Sequence, residues 1–487
     1  MCRRHLYLLL AAVIYEGGAA PISTRIAFGS CSQVELPQPL WPHILARRPD
    51  AFVWGGDNVY ADQRRPDMVA RLLDRRPFAA GERFGHVPRT FAEHRDMYLE
   101  QRQKPGYARL REALEGKIFG TWDDHDMGIN DGDRFFKERD ERQQLHLDFL
   151  DVARDDPRRS RKGVYAAGFV GTGRARVKLI MLDVRSRRDA WPWHPGSNAT
   201  GDMLGGEQWS WLEHELAVAG PEGAALILVV SGIQVLPLSP VMKSKHEAWS
   251  HFPTSKARLV SLLRKSTAPA MILSGDVHFA ELSEATCTGA NEDKLIEFTS
   301  SGMTHAWQGE KMNWPKPILA SYIMRWSWGI LNRVCGYWGV HRYRTAAFGG
   351  TNFGLIDIDA DARPGDGQGG RGGRVTLRAI GVDNEVKFER VFNLSQLVGG
   401  KVGTSTSDLK GAQPCTPIND VRSGKPPQLS FEVRAALAAA FFFAPFLSLL
   451  LVALAGTARC CFVAKRWRRG ETRLETRHTV KAKDKSL

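Results

Sequence analysis

Six residues of metal-ligating type recur in one setting, each just past an apolar run: Cys31, Asp57, Tyr60, Asp124, Asp276 and His278. The stretch "FVWGGDNVYAD" (52–62) is typical, leaving an apolar run through two glycines and presenting Asp57 and Tyr60 at once. Thiolate, phenolate, carboxylate and imidazole together suit a strongly Lewis-acidic transition metal such as ferric iron. Carboxylate and amide oxygens suit harder ions such as Ca²⁺ or Mg²⁺. A mixed centre of that kind polarises a phosphoryl oxygen and holds a hydroxide for in-line attack. In "WDDHDMGIND" (122–131), His125 is flanked by acids. They can hold it protonated, to stabilise charge or to donate to a leaving group. Each residue alone has an ordinary explanation: a strand-end Asp usually caps a helix or forms a turn, and a lone Cys is usually a small buried hydrophobe. Those explanations do not account for the repetition at successive run ends.

The elements that must position these groups are the runs themselves. Strands are expected over 24–30, 50–56, 117–123, 177–184, 224–232, 270–276, 294–301 and 353–359. Several are apolar nearly throughout, as in strands buried on both faces. Helices are expected between them, over 40–48, 91–114, 134–151, 206–219 and 255–266. Strands alternating with helices give an α/β layered fold, in which functional groups gather at the carboxyl ends of strands. Beyond residue 350 the chain becomes strand-rich, and "DADARPGDGQGGRGG" interrupts it as a hairpin connection or an insertion. The aromatic stretch 314–340 is broken by charges and prolines and reads as an amphipathic or capping segment.

The motifs "FGSCS", "GGDNVYAD", "WDDHDMGIND", "LDVRSRR", "GEQWSWLEHEL" and "LSGDVHFAEL" together resemble the PhoD-like (alkaline phosphatase D) metallophosphatases, relatives of the calcineurin-like and purple acid phosphatases. "EFTSSGMTH" and "TNFGLIDID" are similar to the short eukaryotic form of that family. The resemblance covers roughly residues 25–360. It implies a sandwich of two sheets flanked by helices, and a phosphoesterase that cleaves phosphate mono- or diesters by attack of a metal-bound hydroxide. The implied centre is Fe³⁺ with Ca²⁺; Zn, Mn and Mg stay open. In that scheme Cys31 and Tyr60 bind iron, Asp57 bridges, and Asp276 and His278 complete the set. Asp124 stands where the superfamily has a ligand Asn, and which of Asp123, Asp124 and Asn130 ligates is open. His125 faces substrate and Arg185 contacts phosphate. Gln234 and His305 are further candidates. Cys31 follows the start of the chain closely, which leaves no separate N-terminal domain of the bacterial kind. The alternatives are a catalytically inactive receptor or binding protein on the same fold, and a nuclease- or phospholipase-like diesterase.

Length and charge bound the rest. The chain has 487 residues, 43% hydrophobic and 25% charged, with a net charge of +14. About half of that excess lies in residues 459–487, so no stable nucleic-acid partner is expected. Residues 435–458 carry no charge over 24 positions and are followed by "KRWRR", the pattern of a single membrane-spanning helix with a cytosolic basic tail. Residues 1–20 read as a signal peptide. The expected organisation is then signal (1–20), phosphatase body (21–397), linker (398–434), anchor (435–458) and tail (459–487), as a type I protein of the secretory pathway or cell surface. The sequons at Asn198 and Asn393 fit that placement. Cys287, Cys335 and Cys415 allow one disulfide, its pairing open; Cys460 and Cys461 are candidates for palmitoylation. Substrate is a phosphate ester, and the oligomeric state is not legible.

Overall fold

Strands whose faces are both buried must be apolar at every position, and the two faces then enter different cores. The computed structural model describes residues 23–64, 86–191, 201–237, 247–287, 293–306, 343–360, 373–400 and 415–417. The chain divides into two units, and all these residues lie in the first (Met1–Ser239, Lys245–Trp314, Gly339–Arg422). In chain order the elements begin with β1 (Ser23–Gly29), α1 (Trp41–Ala46), β2 (Ala51–Gly55), β3 (Asp62–Arg64) and β4 (His86–Pro88). Helices α2 (Phe91–Gln103) and α3 (Pro105–Leu114) lead to β5 (Ile118–Thr121), α4 (Asp124–Met127) and α5 (Arg139–Phe149). Next come β6 (Ala166–Val170), β7 (Val177–Met181), α6 (Gly206–Val218), β8 (Leu226–Ser231), α7 (Pro253–Lys265) and β9 (Pro269–Ser274). The last strands are β10 (Ala280–Cys287), β11 (Asp293–Ser300), β12 (Arg344–Phe348), β13 (Asn352–Asp359), β14 (Arg374–Gly381), β15 (Val386–Asn393), β16 (Val398–Gly399) and β17 (Thr416–Pro417).

One six-stranded sheet runs β15-β14-β13-β1-β2-β5, and a larger one runs β12-β10-β11-β9-β8-β7-β6. Strands β1, β2 and β5 are parallel neighbours, as are β7, β8, β9 and β11. The sheets pack face to face through Ile26, Phe28, Val53, Leu179, Leu228, Met271 and Leu273. The alternate residues face helices. Ile180, Val229 and Ile272 pack with Leu212 and Trp209 of α6 and Leu259 of α7. Ala27, Phe52 and Trp54 pack with Trp41 of α1, Tyr107 of α3 and Phe149 of α5. The result is helix, sheet, sheet, helix, with all the parallel strands of both sheets carrying their carboxyl ends into loops.

The expected strands all appear within a few residues of their predicted bounds. The expected helix 91–114 is two helices, because Lys104 is extended before Pro105 (ψ 122°). The expected helix 134–151 starts at Arg139. Strands β6, β10 and β12 were not anticipated. In β10 ("AELSEATC") the buried carboxylates disguise the pattern: Glu281 is ion-paired with Arg344 and Glu284 accepts from Thr345. The Gly/Asp-rich stretch joins the antiparallel pair β13 and β14, as a hairpin connection does. The body extends past its expected end at 397. Val398–Gly399 pairs with β9, Thr416–Pro417 pairs with β10, and Cys415 is disulfide-bonded to Cys287. Residues 1–20, 314–340, 435–458 and 459–487, with Asn198, Cys335, Cys460 and Cys461, lie outside the described residues. Among the described residues no helix is long and apolar enough to cross a membrane.

Candidate active site

The two sheets meet closely where their parallel strands end. Gly275, after β9, lies so near β1 and β2 that a Cβ would stand 2.5 Å from Ser30 Oγ and 2.6 Å from the Gly55 carbonyl oxygen. Gly56 has φ +98°, and a Cβ there would lie 2.7 Å from Asp123 Cβ. Both positions therefore require glycine. Just past the strand ends the backbone turns into the left-handed region at Cys31 (φ 62°), Asp57 (51°), Asp276 (73°) and His278 (56°), and it does so again at Asp131 (57°), beyond α4. None is glycine, so each turn carries strain. The turns send side chains from β1, β2, the β5 loop and β9 toward one region.

Cys31 is buried, with Sγ 3.0 Å from Ser301 Oγ and 3.5 Å from Asp57 Oδ2. Burial pushes its thiol up to about 12, the charge of Asp276 adding and the Ser301 bond opposing. The Tyr60 hydroxyl lies 3.5 Å from the same Asp57 Oδ2 and 3.1 Å from His305 Nε2. Asp57 is held well above the usual carboxylate range by burial and by the neighbouring Cys31, Asp124 and Asp123. Its Oδ1 has no hydrogen-bond partner among the described residues.

The loop after β5 is built around Asp126. Its carboxylate accepts from the backbone N–H of Asn58 (3.0 Å), Val59 (3.2 Å) and Asp123 (3.1 Å) and from the Tyr98 hydroxyl (3.0 Å). One buried side chain thus fixes the Asp57 loop against the Asp123–Asp131 loop. Asp124 accepts from the Asp131 N–H at 2.6 Å. His125 Nδ1 is 2.6 Å from Asp62 Oδ1, and His86 Nδ1 is 2.7 Å from Asp62 Oδ2. The Asn130 backbone N–H also donates to Asp62. Burial alone would lower His125, but the charges of Asp62 and Asp124 and the Asp62 bond raise it to about 10. Its ring lies 4.1 Å, centroid to centroid, from that of Tyr60.

Arg185, expected to face phosphate, has its guanidinium committed to carboxylates. Nε donates to Asp123, while Nη1 and Nη2 donate to the two oxygens of Glu247 at 2.7 and 2.5 Å. Asp124 Oδ1 stands 3.6 Å from Nη2. Arg188 crosses behind, donating to the carbonyls of Asp131 and Gly132. Asp276 is raised well above its ordinary value by burial and by Glu247, Asp123 and Asp124. The His278 and His305 rings lie 4.4 Å apart, and the His278 N–H donates to Ser301 Oγ. Gln234 is not drawn into this group: its amide donates to Thr299 Oγ1 at 3.0 Å, among the strands. Sequence reasoning assigned no role to Asp62, Asp126 or Glu247. Asp62 had a signal, lying within the quoted stretch itself; Glu247 follows no strand and had none.

These residues fit a bound cation. Asp57, Asp123 and Asp131 each keep a buried carboxylate oxygen without a hydrogen-bond partner among the described residues, a costly state without a positive charge to meet it. Ligand atoms of Asp57, Asp124 and His125 lie within 4.8 Å of one another, as do those of Asp124, Asp131 and Glu247. Asp124 belongs to both sets.

The fold and the placement of this cluster define a layered α/β/β/α protein with its polar groups at the carboxyl ends of parallel strands. The family model of the PhoD-like phosphatases matches residues 26–324, and the chain belongs to that family. A solved structure titled "Structure of PhoD" is similar in fold (TM-score 0.51, 16% identity, covering 80% of this chain and 73% of that one). GAP50, the anchor in the inner membrane complex of Plasmodium, gives a TM-score of 0.38 at 11% identity over 76% of this chain and 89% of that one. A 5'-nucleotidase precursor from Thermus thermophilus gives 0.26 at 10% identity over 78% and 56%. At those scores neither likeness defines a fold. No curated protein sequence matches the chain. Family membership and the acidic clusters support a metal-dependent phosphoesterase.

Proposed function

We propose that the chain hydrolyses phosphate mono- or diesters at the strand-end cluster, with Cys31, Asp57, Tyr60, Asp124, Asp276 and His278 holding two or more cations, Fe³⁺ and Ca²⁺ by the nature of the donors. The observation that carries this reading is the set of buried, unpartnered carboxylate oxygens of Asp57, Asp123 and Asp131 around shared Asp124. Bound cations supply Lewis acidity, polarising the phosphoryl oxygen and activating water. The protein's own groups do the rest. Asp62 fixes the His125 ring through Nδ1, leaving Nε2 to donate a proton to the departing oxygen. Cys31 and Tyr60 would hold a cation as thiolate and phenolate, its charge offsetting the burial that raises both groups. Arg185 is a positioning residue, joining Asp123 to Glu247 and limiting their repulsion. The body is lumenal or extracellular, delivered by residues 1–20 and anchored by 435–458; the apolar composition of both stretches supports this placement.

The test is hydrolysis of para-nitrophenyl phosphate and of its bis ester by purified protein, with and without chelator, alongside elemental analysis. Activity on either ester that chelator removes, with bound metal, is expected; no activity and no metal would sink the reading. Asp57→Ala is expected to lower activity at least about a thousandfold, on the order of the loss of a catalytic group, with an unchanged circular dichroism spectrum. Wild-type turnover in that variant would remove Asp57 from the site.

A further inference from the structure

Apart from the acidic cluster, the described residues form an open cleft of about 400 Å³ whose charged lining is mainly cationic. Arg134, Arg139, Lys162 and Arg187 line it, with Glu207 as the one carboxylate, and Tyr165 forms part of its wall. Lys162 is exposed and makes no ion pair with the described residues. Arg187 meets Glu207 at 3.4 Å, and both reach solvent, so that pair neutralises it weakly. Arg134 pairs with Asp189 at 2.5 Å. Arg139 is held in place by its bonds to the carbonyls of Arg134 and Phe136, and its Nε lies 3.4 Å from the half-exposed Asp140 carboxylate, a pair that neutralises it weakly. Arg161 stacks 3.7 Å over the Tyr165 ring.

A second feature points the same way. Helix α6, of 13 residues, begins at this cavity with Gly205 at its N-cap; the Gly205 N–H donates to Asp202, and no side chain caps the N–H groups of the first turn. A Cβ on Gly206 would meet nothing within 4 Å, so the first-turn backbone is open to the cavity. Its N–H groups lack intrahelical partners and carry the positive end of the helix dipole. Fixed cations beside open N–H groups are the requirements of a phosphate site.

We propose that this cavity is an accessory anion-binding site for a phosphate-class oxyanion, distinct from the cluster at Asp57 and Asp124. Arg187 and Lys162 supply charge that can adjust to the ligand, Arg139 supplies fixed charge, and the N–H groups at the start of α6 donate to one oxygen. This site does not depend on the phosphoesterase reading. Its wall nevertheless shares backbone with the acidic loop: the Arg134 N–H donates to the Arg188 carbonyl, and Arg188 holds that of Asp131.

The test is calorimetric titration of the full chain with methylenebisphosphonate, whose P–C–P link resists hydrolysis. Asp57→Asn is expected to retain one binding component, and Lys162→Ala with Arg187→Ala to weaken that component at least about tenfold, since each removes a charge-assisted contact. Both side chains reach solvent, and matching thermal melts confirm that the double variant folds. The proposal fails if the wild type does not bind, if Asp57→Asn abolishes all binding, or if the component left in Asp57→Asn is indifferent to the double substitution.

Discussion

At the scale of single residues, the most informative group is Asp62, which the sequence displayed without a role. It touches His125 through one oxygen and His86 through the other. Burial raises its carboxyl, but the charge and bond of His125 and the bond of His86 outweigh that and lower it. His125 is correspondingly raised from 6.5 to about 10. The linkage follows directly. The raised histidine stabilises the fold fully below about 6.5 and loses that contribution as pH rises through about 10. The lowered Asp62 contributes above its ordinary carboxylate range and is lost in acid. In chelator-treated protein, Asp62→Asn should therefore melt below wild type at neutral pH, with the gap closing above about pH 10. In the active protein it should move the alkaline fall of the rate to lower pH, toward the ordinary histidine range. A rate profile superimposable on wild type would show that Asp62 does not govern His125. Cys31 makes a second test. If it joins an iron ion with Tyr60, Cys31→Ser weakens any visible charge-transfer band; an unchanged spectrum removes it from that shell. The residue types and their strand-end positions were legible, because ligand chemistry is written in side chains. The partners of Arg185 were not, since Glu247 comes from a loop with no apolar run before it.

Elements explain why that reading went as far as it did. Strands buried on both faces are uniformly apolar, so β1, β2, β7, β8 and β9 stand out in sequence, and with them the residues just past their ends. Strand β10 did not stand out, because Glu281 and Glu284 are buried against Arg344 and Thr345 from β12, a pairing that only the fold brings about. The same limit hid Asp126. In sequence it is one acid among several; in the fold it joins two strand-end loops by accepting from Asn58, Val59, Asp123 and Tyr98. Burial pushes it up to about 7 while those donors oppose the shift. Asp126→Ala leaves buried backbone donors unpaired and should destabilise the protein by about 3 kcal/mol or more. It should also lower the rate in the molecules that remain folded, because Asp57 loses its fixed loop. Denaturant melts and activity per folded molecule separate the two effects. Tyr98→Phe removes only one donor, so its cost of about 1 kcal/mol sets the scale for a single bond. An Asp126→Ala variant no weaker than Tyr98→Phe would mean that the loops hold themselves.

For the whole molecule, location changes the meaning of composition. A net charge of +14 would suggest nucleic acid if spread over the body, yet about half of it lies in residues 459–487, directly behind 24 uncharged positions. At ~1.5 Å per residue a helix over 435–458 would span ~36 Å, more than the ~30 Å of a hydrocarbon core. A charge-rich cytosolic flank is what such a helix needs to stay oriented. Ahead of the proposed anchor, the chain is tied back to the strands: Cys415 is bonded to Cys287 across a separation of 128 residues, and Thr416 and Pro417 pair with β10. The proposed anchor at 435–458 therefore follows Pro417, and every described residue of the strand-end cluster lies before it. Deleting residues 435–487 should then move the chain from the carbonate-resistant membrane fraction to the soluble fraction, with hydrolysis per molecule within about twofold of the full chain, because every described residue of the cluster is retained. Deleting only 459–487 should leave it in the membrane. A chain that stays membrane-bound without 435–487 is held there by some other segment, and loss of hydrolysis in a soluble, folded truncation would place part of the working site beyond Pro417.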